Sequence, residues 1–142
     1  MAFEGILFAV LTAISFGAWT VFHNQASTHI NPIFGAIIVS LTAVIVGSIF
    51  LIPQIKNTAL FSGQTGIIFA ILAGIMAFAI DYFALKTYAT GINVSVAGPI
   101  IIGGSTAIAS IIGFFTGDSI TFVKILGLVL VITGAAVLAS FG

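Results

Sequence analysis

The sequence predicts an all-α fold, a polytopic membrane protein with five transmembrane helices. Three observations carry that prediction. Of the 142 residues, 61% are hydrophobic, and the mean hydropathy is +1.38. Only 4% are charged, against about 25% in an average soluble domain. The apolar residues fall into five runs, each near the ~20 residues that a bilayer core requires. A soluble fold with such helices would need charged helices to cover them, and the sequence supplies none. A spanning barrel would show strict alternation, which these runs lack.

The first helix is expected at about 4–22, followed by the polar patch "HNQASTH" as a connection. The N-terminal "MAFEGILF" holds Glu4 and neither Lys nor Arg. A cleavable signal peptide needs a basic start, so this run reads as a retained helix. The second helix, about 32–52, has the clearest start. Asn31 can cap free backbone donors, and Pro32 sits at the first helical position, where its missing N–H is harmless. The loop "PQIKNTALFSGQTG" leads to a third helix at about 66–88, closed by Gly91 as a left-handed cap. The fourth is expected at about 93–116, the turn "TGDSIT" follows, and the fifth covers about 121–141. Short loops leave no room for a soluble domain, so the chain reads as a single five-helix domain, 1–142.

An odd helix count places the two ends on opposite sides of the membrane. A second copy fused behind the first would insert upside down, which is how inverted-repeat transporters build two oppositely facing states. One such unit is half of that fold. Orientation follows Lys and Arg. Lys56 and Lys124 lie on the N-terminal side and Lys86 on the other. So slight a bias permits insertion in both orientations and an antiparallel homodimer; a paralogous partner could fix orientation instead.

Net charge is zero, with three Lys against three acids and no Arg. Nucleic-acid binding and capture of anionic lipid by a basic strip are therefore disfavoured. Cysteine is absent, which removes disulfides and thiolate metal sites. His23 and His29 have no acid near them in sequence, so no metal site and no cofactor is expected.

From Ile68 onward the pattern resembles an EamA-like unit of the drug/metabolite transporter superfamily. The matching features, in order, are "AIDYFALKTYATG", "INVSVAGPIIIGG" with its early proline, the Gly-acidic turn "TGDSIT" and "ILGLVLVITGAAVL" with spaced glycines. The N-terminal "SFGAWTVFHNQAS" is a looser match. The turn usually carries Glu and here carries Asp118. Most members hold two units in one chain, and this sequence holds one. The resemblance implies a transporter half that must pair, in a prokaryotic inner or plasma membrane, with a small-molecule substrate. It names no solute and implies no enzyme.

Asp81 is the leading candidate for function. It lies ~22 Å into the third helix, past the midplane, where a carboxylate is costly and usually faces a cavity or partner. Two readings stand beside each other: a proton- or cation-binding site facing a solute cavity, or an acid at the headgroup layer satisfied by water or Lys86. Lys86, five residues on, lies about 140° around the helix and reads as a snorkelling residue. Tyr82 shares a face with Lys86, and Tyr88 shares one with Asp81. Both tyrosines read as interfacial anchors or cavity hydroxyls. Trp19 reads as a belt residue and His23 as solvated or titrating near neutral pH.

Pro99 removes the bond to the Ser95 carbonyl, so a kink or opening is expected there, among Gly98, Gly103, Gly104 and Ser105. Small residues here read equally as a cavity, a hinge or close packing. Gly113 with Gly117, and Gly127 with Gly134, suggest close helix contacts, within the chain or across a dimer. Asp118, helped by Ser119, reads as a cap for the last helix. Three functions compete. The first is a transporter half for a neutral, zwitterionic or amphipathic solute, in which a single acid permits proton–cation exchange. The second is an accessory subunit or lipid-linked carrier flippase component with a different partner chain. An intramembrane enzyme, the third, lacks the second deep acid or nucleophile–base pair it needs.

Overall fold

The structure, a computed structural model, describes residues 2–55 and 64–141, with side chains from 4–55 and 64–140. Its helices are α1 (Ala2–Ser27), α2 (Pro32–Leu51), α3 (Gln64–Ala89), α4 (Val94–Thr116) and α5 (Phe122–Phe141), with a 3₁₀ turn at Ile52–Gln54. All five are long and apolar enough to cross a membrane. Ile6, Phe50, Phe69, Ile108 and Leu130 are each more than 60% exposed, the surface expected where lipid is the solvent. Lys56 lies outside the described residues.

Hydroxyls within the spans are satisfied on their own helix. Thr12, Ser15, Ser48, Thr106, Thr133 and Ser140 each donate to the carbonyl four residues back. That arrangement lets a small polar residue face lipid without an orphan donor.

The chain folds as two compact units, one of 22–90 and one of 1–21 with 91–142. In the first, the Asn31 side chain accepts from the Ile33 and Phe34 amides at 3.0 and 3.4 Å, with Pro32 at the helix start. Both features match the expectation from sequence. Asn31→Ala should therefore cost about 1 kcal/mol, read as faster hydrogen exchange at the Ile33 and Phe34 amides. Gly35 and Ala36 bury the α2 face against α3. A Cβ on Gly35 would sit 2.6 Å from Leu85 Cδ1 and 3.2 Å from Ile30 Cγ2. Gly91 ends α3 with φ +86°, as expected for a left-handed cap.

In the second unit α4 packs on α5. Gly103 makes the closest approach: a Cβ there would be 2.9 Å from Ala135 Cβ and 3.6 Å from the Val131 carbonyl oxygen. Asn93 precedes α4, and its carbonyl accepts from the Val96 and Ala97 amides. The α4–α5 turn departs from the sequence reading. Thr121, not Asp118, caps α5: its hydroxyl accepts from the Lys124 amide at 3.3 Å. Asp118 folds back instead, its Oδ2 2.6 Å from where a Gly113 Cβ would stand. Gly117 adopts φ 112°, a conformation that disfavours any side chain. Gly113 and Gly117 therefore serve this turn, where a helix-packing pair was expected.

Candidate functional site

In the unit of 22–90, α1 continues through His23, Asn24, Gln25, Ala26 and Ser27 as helix. The sequence reading placed that polar patch in a connection. The extra turn puts His23 and Ser27, four residues apart, on one helical face. Both are buried, at 4% and 5% exposure. Ser27 Oγ donates to the Asn24 carbonyl at 2.7 Å. His23 Nε2 lies 3.1 Å from Asp81 Oδ1. Against an ionised carboxylate, which only accepts, the imidazole donates from Nε2; against a protonated one it accepts there.

Asp81 is itself 7% exposed and stands ~25 Å along α3. A buried acid at this depth is tolerated only with polar partners, and His23 is one. Two expectations are corrected here. His23 is not solvated, and Asp81 is not satisfied by Lys86. The Lys86 ammonium lies 5.5 Å from the Tyr82 ring centroid, on the exposed side of α3. The geometry follows the 140° separation that the sequence implies. Tyr82 is half-buried, with the Phe83 ring 5.1 Å away.

Tyr88 is wholly enclosed, at 1% exposure, and its hydroxyl has no hydrogen-bond partner. It shares the buried face of α3 with Asp81, Ala84 and Leu85. The interfacial-anchor alternative for Tyr88 is therefore set aside. A belt tyrosine keeps its hydroxyl in water, and this one does not.

The other candidates belong to the unit of 1–21 and 91–142. An apolar cleft of about 520 Å³ is lined by Gly17 and Thr20 of α1, by Gly98, Pro99 and Gly103 of α4, and by Gly134 of α5, among others. Pro99 falls in the second turn of α4, where it cannot donate to the Ser95 carbonyl. Thr20, buried at 4%, donates to the Gly17 carbonyl at 2.7 Å. Trp19 packs on Phe16 with ring centroids 4.9 Å apart. Ser95 is exposed and is not among the cleft's lining residues. Gly104 and Gly127 line two further shallow grooves, and a Cβ on either would meet nothing within 4 Å.

The structure thus brings His23 to Asp81 and places Tyr88 on the same face of α3. Sequence reasoning singled out each of the three but missed the pairing. His23 and Asp81 are 58 residues apart, and nothing in either local pattern signals the contact. It also passed over the buried Ser27 and Thr20, whose burial depends on neighbouring helices.

Five helices long and apolar enough to span, with an acid–imidazole pair buried in the unit of 22–90, define a polytopic helical membrane protein. The chain belongs to the EamA-like transporter family: that family's profile matches residues 3–140. It is a membrane transporter of the drug/metabolite type, as the motif order implied, and the family is not an enzymatic one. No curated protein and no solved structure matches it.

Proposed function

We propose that the chain is one half of a secondary transporter, a single five-helix domain that pairs antiparallel with a second copy. The pair moves a small metabolite or drug-like solute by alternating access, in a prokaryotic inner membrane. The observation that supports this reading is the His23–Asp81 pair at 3.1 Å, buried in a spanning helix of a transporter-family chain. An ionisable pair at such a depth is a functional-site hypothesis by default. Asp81 takes a proton or cation and His23 orients it. Five spans support this pairing, because an odd-spanning unit matches the inverted-repeat design in which the second half has the opposite orientation.

Cysteines placed singly at Ala59 and Gly142 test the arrangement, since the chain has none of its own. Each is expected to react with an impermeant maleimide from both sides of the membrane, in comparable fractions. Labelling of each site from one fixed side would sink dual insertion. Recovery of the chain only with a partner of different sequence would favour the accessory-subunit reading.

A further inference from the structure

Two charged side chains of the unit of 1–21 and 91–142 have no part in the His23–Asp81 pair. Asp118 and Lys124 line one groove of about 320 Å³ between α4 and α5. They are six residues apart and opposite in sign, yet among the described residues they make no ion pair. The turn holds each in place. The Lys124 ammonium donates to the Ser119 carbonyl and hydroxyl at 2.8 and 3.0 Å, which leaves one of its three donors unused. The Asp118 amide donates to the Gly113 carbonyl at 2.9 Å, and its carboxylate lies beside Gly113. Both charges are exposed, at the end of two spans.

Away from the charges the groove turns apolar. Phe114 of α4 and Leu128 of α5, both half-buried, wall it. Gly127 leaves a notch beside Leu128, since a Cβ there would meet nothing within 4 Å. At the far end Thr106 donates to the Ile102 carbonyl at 2.8 Å, so it asks nothing polar of an occupant. The depth fits one leaflet. Thr106 stands ten residues before Thr116, the last of α4. That is ~15 Å at helical rise, about half of the ~30 Å hydrocarbon core. An acyl chain has this length and polarity; a compact polar solute has neither.

The charges narrow the headgroup. A phosphate suits the spare donor of Lys124, and a cation suits Asp118. A primary ammonium brings N–H donors for the carboxylate, and a quaternary one brings none. An anionic headgroup without an amine would set like charge against Asp118. We infer that the α4–α5 groove binds a zwitterionic phospholipid with a primary-ammonium headgroup. Its phosphate meets Lys124, its ammonium meets Asp118, and one acyl chain lies against Phe114, Gly127 and Leu128. This site does not rest on the transporter reading.

The test solubilises the full chain from vesicles of equal parts phosphatidylethanolamine, phosphatidylcholine and phosphatidylglycerol with matched acyl chains. Native mass spectrometry then counts the lipid that stays bound. Wild type is expected to retain phosphatidylethanolamine about fivefold over each of the others, the scale of one exposed charge contact. Asp118→Asn is expected to lose the preference over phosphatidylcholine, and Asp118→Glu to keep it. Lys124→Gln is expected to retain less of all three lipids. Gly127→Leu fills the notch and is expected to lower total retention with the headgroup preference intact. Open space at Gly127 lets that variant fold, so it decides the matter even if Asp118→Asn disrupts the turn. Equal retention of the three lipids by wild type overturns the inference. So does a preference that survives both Asp118→Asn and Lys124→Gln, which marks ordinary boundary lipid. A dimer that Gly127→Leu splits, with lipid retention unaltered, puts a second copy on the groove and overturns it as well. None of these outcomes bears on the cysteine-labelling experiment, so the two readings fail separately.

Discussion

A solute-induced thermal shift of the wild type is expected to be much reduced in Asp81→Asn. Solute affinity should also fall by about 10- to 100-fold, the range set by a hydrogen bond to a charged group worth about 1.5–3 kcal/mol. Asparagine keeps the size and one acceptor oxygen of Asp81, so the fold should survive. What is lost is the only group on the buried face of α3 that carries charge. A parallel variant separates charge from architecture. His23→Ala leaves the Asp81 carboxylate in place and removes a donor 3.1 Å away. Leaving a buried acceptor short of a partner costs about 1–3 kcal/mol, so His23→Ala is expected to melt lower than Asp81→Asn. His23→Gln, which restores an N–H donor, should recover part of that loss. A solute response of equal size in wild type and Asp81→Asn would remove Asp81 from its proposed role.

The second large effect concerns packing. Gly103→Val is expected to destabilise the α4–α5 pair by about 3 kcal/mol, the upper end for overpacking a tight contact. The neighbour that a new Cβ would meet is Ala135 Cβ, at 2.9 Å. A β-carbon cannot rotate aside, so the helix backbone must move. Gly104, next in sequence, has nothing within 4 Å of its Cβ direction. Gly104→Val is therefore expected to change stability by about 0.5 kcal/mol or less. Detergent melting curves of the two variants side by side make the comparison. Equal losses would show that the α4–α5 contact is looser than these distances imply. Gly103 also borders the apolar cleft beside Pro99, so the same variant narrows that cleft.

The two sets of glycines show how far pattern reading extends. Spacing alone grouped Gly113 with Gly117 as a packing pair and gave Gly103 and Gly104 equal standing. Backbone geometry separates them. Gly117 is needed for its φ of 112°, and Gly113 for room beside the Asp118 carboxylate. Gly103 is needed for contact with α5, and Gly104 faces open space. A glycine states only that a side chain is missing. Whether the space is filled by a neighbour, a turn or nothing is decided by elements distant in sequence.

Asp81 shows the same division. Composition, run length and helix periodicity placed it deep in a spanning helix and turned Lys86 away from it, because these depend on local sequence and on the bilayer. The five spans follow from the same cause: backbone groups in lipid must be satisfied within the helix. Caps at Asn31 and Gly91 were legible because their hydrogen bonds and dihedrals are local. The partner of Asp81 was not legible. It needed α1 to run on through Ser27 and to lay His23 against α3, across 58 residues of chain. A polar patch that ends a helix in isolation continues it when its side chains gain buried partners. The sequence by itself determined that this protein spans the membrane and which acid stands within it. Only the tertiary structure decided that His23 faces that acid and that Tyr88 is closed in on the same face, because both depend on packing between helices rather than on the order of residues within one.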